Sequence, residues 1–272
     1  MRFELVYVFL WTAALAYGLQ ARLARRWLGW VATATLAVTW GLLTAGLAQR
    51  GLEAGHWPLT NQFEFGLGWL WATLSIYLLL EVGWHQRQAG PFVMVVALGV
   101  ATYALTRPGS EKEITALLPA LRSPWLPLHV LSSIIGYGAA GVAAGLGGLR
   151  LVWREGSSPA EPSAGLPTAR AIEQVTERMI ALGFPWMTLS LLVGAIWAQN
   201  AWGRYWGWDP KETWALVTWL WYVLILHVHG LRKWRGRRLA GLVVAGLAAV
   251  FFTFAGVPWL VQTVRLESLH GF

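Results

Sequence analysis

The segment Trp202-Gly203-Arg204-Tyr205-Trp206-Gly207-Trp208-Asp209-Pro210 places three tryptophans and a tyrosine within seven residues. Together they offer a broad apolar surface with N–H and O–H groups at its edge. The two glycines let the backbone turn tightly or approach a ligand closely. Asp209 has two readings. It suits the N-cap of a following helix with Pro210 in the first turn, and it also suits a site carboxylate that accepts hydrogen bonds. The remaining chemistry-bearing residues are six histidines, at positions 56, 85, 129, 227, 229 and 270. Ionisable residues carried in membrane segments mark function. Cysteine is absent, so no disulfide, thiolate metal site or thiol-redox chemistry resides in the chain. No P-loop, Rossmann glycine fingerprint, G-x-S-x-G elbow or H-E-x-x-H occurs.

These residues need elements to hold them, and composition says which. Of 272 residues 56% are hydrophobic and only 12% charged, where a soluble domain carries about 25% charged. An ordinary cytosolic enzyme, a disordered chain and a nucleic-acid-binding domain are excluded. The net charge of +8 belongs instead to the cytoplasmic edges of membrane helices. Apolar stretches of spanning length fall at 4–20, 28–49, 64–82, 91–106, 127–149, 179–199, 213–230 and 239–262. The expected fold is therefore all-α, a polytopic membrane protein of about eight transmembrane helices forming one domain over 1–272. The first stretch lacks a small-residue cleavage site, and its basic cluster Arg22, Arg25 and Arg26 follows it, so it reads as a membrane helix and not a signal peptide. Residues 154–170, REGSSPAEPSAGLPTAR, read as a flexible cytoplasmic loop.

Loops after the odd-numbered spans carry most of the basic residues, densest from Arg232 to Arg238. The positive-inside rule puts those loops in the cytoplasm and both termini outside it. The aromatic loop, His129 one turn into the fifth span, and His270 in the tail then share the outer face. His227 lies 18 residues after Asp209, roughly 27 Å along a helix. That is nearly across a hydrocarbon core of about 30 Å, so it cannot share one site with His129. Asn61 and Glu64 read as an N-cap and its N3 partner. His56 and His85 read as loop residues, and His229 as an interfacial histidine.

The run WAQNAWGRYWGWDPKETWALVTWLWYVLILH, residues 197–227, resembles the tryptophan-rich WWD domain of haem-handling membrane proteins. Its continuation Asp209-Pro210-Lys211-Glu212-Thr213-Trp214 resembles the CcsA/ResC-type cytochrome c biogenesis proteins of System II. Weaker similarity covers Pro58-Leu59-Thr60-Asn61 with Glu64, Pro127-Leu128-His129 and Leu269-His270-Gly271.

The resemblance implies a chain that binds haem b, presents it at the outer membrane face and promotes its attachment to the CxxCH cysteines of apocytochrome c. It implies a partner of the ResB/CcsB type, contact with membrane lipid and residence in the plasma or inner membrane as a subunit of a haem lyase. It further implies that the loop 200–214 packs against haem through Trp202, Gly203, Tyr205, Trp206, Trp208, Asp209 and Pro210. By the same resemblance His129 and His270 ligate the outer iron, and a buried His227 serves haem entering from the cytoplasm. Asp209 is the expected catalytic carboxylate. Arg204 or Lys211 is placed to meet a propionate, and both equally suit interfacial anchors whose long basic side chains reach toward water. The alternative is a HemX-type haem-binding regulator of haem synthesis, against which the intact WDPKETW run argues.

Overall fold

The computed structural model describes residues 3–84, 86–152, 168–231 and 234–265, and among them all regular structure is helical. In lipid every backbone N–H and C=O must be satisfied within the chain, and a helix does this segment by segment. Eight helical spans are long and apolar enough to cross a membrane. They are α1 (Phe3–Leu23), α2 (Arg26–Ala54), α3 (Gln62–Trp84), α4 (Gly90–Leu105, entered through a 3-10 turn, Arg87–Ala89), α6 (Trp125–Val152), α7 (Ala169–Trp202), α8 (Pro210–Gly230) and a final composite span. The composite span is α9 (Gly236–Phe251), a π-helical turn (Phe252–Gly256) and α10 (Val257–Val264). A single-turn helix, α5 (Gly109–Lys112), sits in the α4–α6 connection. The chain is thus a multi-pass membrane protein.

Helix α6 is the centre of the bundle, packed by α7, α9, α3 and α4, while α1 and α2 pair at the flank and α8 leans on α9 and α7. Small residues make this crowding possible, as expected where helices meet in lipid without a hydrophobic drive. A Cβ on Gly138 of α6 would lie 3.0 Å from the Ala72 backbone of α3. Two ion pairs, one buried and one partly buried, pin the ends of α3. Arg50 of α2 meets Glu64 at 2.7 Å, and Arg87 meets Glu81 at 2.8 Å. Glu81 also accepts from the Tyr17 and Thr33 hydroxyls.

The expected loop 154–170 needs correction at its end. Thr168 caps α7, its side chain accepting from Ala171 N at 3.1 Å, so the helix begins about ten residues before the apolar stretch. Its polar first turns are held by Arg150–Glu173 at 2.7 Å and His229–Glu177 at 3.4 Å. Residues 153–167 lie outside the described residues.

Candidate functional site

At one end of the bundle a cavity of about 150 Å³ opens between the starts of α3, α6 and α8 and the end of α7. Its walls include His129, Ser133, Ser190, Tyr205, Trp206 and Lys211. The π-helical turn adds Thr253 and Phe254. A π-helical turn changes which side chains face inward, and such turns are frequent at functional sites. Phe254 stacks on Phe65 of α3, ring centroids 5.0 Å apart, giving that wall an aromatic face.

His129 is the best-defined group. It lies in the second turn of α6, whose start is held by Ser123 through a 3.3 Å bond to Trp125 N. Its Nδ1 lies 2.9 Å from the Ser190 carbonyl oxygen. A carbonyl only accepts, so Nδ1 carries the proton and the basic lone pair is on Nε2, the tautomer suited to ligate a metal through Nε2. Ser133 braces the pair, donating to the His129 carbonyl at 2.9 Å and meeting the Ser190 hydroxyl at 2.5 Å. The Trp197 ring lies parallel to the imidazole, 5.9 Å away at 10°, and its Nε1 donates to Ala120 O at 2.9 Å. Room for the imidazole exists because residue 194 is glycine: a Cβ there would lie 2.7 Å from His129 Nδ1.

The aromatic loop is shaped by caps at both ends. Helix α7 stops at Gly203, whose φ of 74° is the left-handed conformation that glycine adopts without strain. Helix α8 starts with a capping box. Asp209 accepts from Lys211 N at 2.9 Å, and Glu212 accepts from Asp209 N at 3.2 Å. The same Glu212 oxygen accepts from Gly207 N at 2.8 Å, tying the loop down. Trp208 takes a positive φ of 57° and is 70% exposed.

Tyr205 and Trp206 therefore join His129 at the cavity. Trp202 stands behind, edge-on to Trp197 at 4.8 Å. Trp208, Gly203, Asp209 and Pro210 do not line it. Asp209 is buried and capping. His227 is at the far end of α8. The resemblance implies a buried residue there, but His227 is exposed, because α8 buries the face of Thr218, Tyr222, Ile225 and Val228. It shares an outward stripe with Leu220 and Leu224. His270 lies outside the described residues. Asn61 does cap α3, accepting from Glu64 N at 2.9 Å. Yet Glu64 does more than complete that cap. It is buried, takes Arg50, and accepts from Thr60 N at 2.7 Å. Arg50 also donates to the carbonyls of Lys112 and Glu113. This cluster fixes the α4–α6 connection beside the cavity wall formed by Thr60, Asn61 and Gln62.

A family model described as cytochrome c assembly protein matches residues 59–265. The chain is 32% identical over 294 residues to a cytochrome c biogenesis protein CcsA of Gloeobacter violaceus, covering 89% of this chain and 84% of that protein. It is 33% identical over 275 residues to the protein of that name from Synechococcus elongatus, covering 85% of each. It is 30% identical over 300 residues to the one from Synechocystis, covering 90% of each.

Proposed function

Since the chain belongs to the cytochrome c assembly protein family, among its CcsA-type members, and so serves cytochrome c maturation, we propose that it binds haem b as substrate in the His129 cavity and presents it for attachment to apocytochrome c. The observation that carries this is the His129 imidazole, held by Ser190 in the tautomer with a basic Nε2, in a cavity walled by Tyr205 and Trp206. Neutral imidazole is a common axial ligand for haem iron. Aromatic faces cover a macrocycle and limit water. The loop bearing Tyr205 forms one wall of the cavity. Tyr205 is 61% exposed.

The bond formed downstream is a thioether. A cysteine S–H of the CxxCH motif adds across a haem vinyl group, with no net oxidation. With no cysteine of its own, the chain contributes ligation, positioning and shielding. His270 is the second outer ligand and Asp209 a site carboxylate, both on the resemblance. His227 takes haem entering from the cytoplasm, its second ligand coming from a ResB/CcsB-type partner. An outward-facing imidazole on α8 supports a ligand shared between two chains. The functional loop lies on the extracytoplasmic side of the cell membrane, and the whole chain acts as one haem-handling domain.

Co-expression with a ResB-type partner and a c-type apocytochrome, in cells lacking their own maturation system, tests this. Covalently haem-stained cytochrome is expected with the wild type and not with His129→Ala at equal protein levels. Normal yield from His129→Ala would remove His129 from the mechanism.

A further inference from the structure

Lys211 is a cation in an unusual position. It is the second residue of α8, in the first turn, where the helix dipole disfavours positive charge. It is only partly exposed and lines the cavity with His129, Tyr205 and Trp206. Neighbouring Glu212 does not neutralise it. The Glu212 carboxylate turns to the loop backbone, accepting from Gly207 N and Asp209 N. Asp209 in turn accepts from the Lys211 backbone N–H. No hydrogen bond or ion pair of the Lys211 ammonium occurs among the described residues. Glu212 also lines the cavity, with its carboxylate engaged by those loop N–H groups, and the remaining polar wall groups, such as Thr60, Gln62, Ser133 and Thr253, are uncharged. The Asp209 carboxylate acts on the ammonium from nearby but is engaged as the helix cap, so the partly buried charge still costs free energy, and a carboxylate entering the cavity would offset it. Arg204 lacks this placement. It is exposed, does not line the cavity, and packs its guanidinium against Gly207.

We propose that Lys211 receives a haem propionate and so sets which edge of the macrocycle faces the start of α8. The inference rests on the haem reading above and adds a positioning residue to it. A charge-assisted carboxylate contact of this kind is worth about tenfold in affinity. It also acts on orientation: the edge opposite the propionates bears the vinyl groups, and holding one edge presents the other.

The test is an absorption titration of purified, detergent-solubilised protein with haem and with haem dimethyl ester, whose propionates carry no charge. Wild type is expected to bind haem about tenfold more tightly than the ester. Lys211→Gln is expected to bind the two within about twofold, and Lys211→Arg and Arg204→Gln to keep the preference. Lys211→Met serves where the Gln variant does not accumulate. Undiminished preference in Lys211→Gln or Lys211→Met, or equal affinities in wild type, overturns the Lys211 assignment alone. No uptake of either compound by wild type overturns the haem site itself and this inference with it.

Discussion

Gly194→Ala is a one-carbon test of how His129 is held. The added Cβ would stand 2.7 Å from Nδ1 and 2.8 Å from Cε1 of the imidazole. Ordinary carbon contacts lie at about 3.5–4.0 Å, so the ring must retreat by about 1 Å. Gly194 is one turn beyond Ser190 on α7, and a ring pushed off one leaves the other. The 2.9 Å bond to the Ser190 carbonyl then stretches beyond hydrogen-bonding distance. A neutral hydrogen bond of this kind is worth about 1 kcal/mol. Its loss also frees the tautomer, so Nε2 no longer carries the lone pair in every molecule. A five- to tenfold loss of haem affinity is expected, about 1–1.4 kcal/mol. The helix itself gains slightly from alanine. Gly41→Ala, where no atom lies within 4 Å of the added carbon, is the matched control. The assay is haem titration followed by absorption, beside thermal unfolding in the same detergent. Wild-type affinity in Gly194→Ala, with wild-type stability, would refute the argument that Ser190 and Gly194 seat the ligand.

Asp209 separates capping from chemistry. Asp209→Asn keeps most of the cap and Asp209→Ala loses about 1 kcal/mol of helix stability. A functional carboxylate is expected to leave both variants accumulated but poor in cytochrome c yield, whereas normal yield from Asp209→Asn leaves capping as its only role. Arg50→Met strands the buried Glu64 carboxylate and is expected to cost about 3–5 kcal/mol, read as a lowered unfolding midpoint. Adding Glu64→Gln is expected to recover much of it, and no recovery would contradict the pairing as the cause. Cysteine placed at Gly207 is expected to react with an impermeant thiol reagent from outside the cell and cysteine at Gly236 not to; reversed labelling would invert the orientation of the site.

The spans were legible because length and apolarity alone decide them, and the observed helices enclose nearly all of each apolar stretch. The caps at Asp209 and Asn61 were legible because capping is a local pattern. Glu212 carried the same signal, standing three residues after Asp209, and closes the box that shapes the loop. Ser190 and Gly194 carried no local signal, and Trp197, though it opens the resembling run, carried none for its place against His129. They belong to the site because α7 crosses α6 there, and a crossing is set by packing between distant segments. The Arg50 ion pair carried no local signal for the same reason: its partner, Glu64, is one helix away. The start of α7 was hidden by its polarity: Ile172 and Val175 are buried there, but among charged residues whose Glu173 and Glu177 are taken up by Arg150 and His229. His227 shows the converse. The resemblance implied a buried histidine, and the structure turns it outward beside Leu220 and Leu224.

The central claim is that His129 ligates haem iron in the cavity beneath the aromatic loop. The most direct measurement is the absorption spectrum of purified protein reconstituted with haem, for wild type and His129→Ala, with and without free imidazole. Imidazole-ligated haem is expected in the wild type, loss of that spectrum in His129→Ala, and its return when imidazole fills the vacated position. An unchanged spectrum in His129→Ala without imidazole would contradict the account.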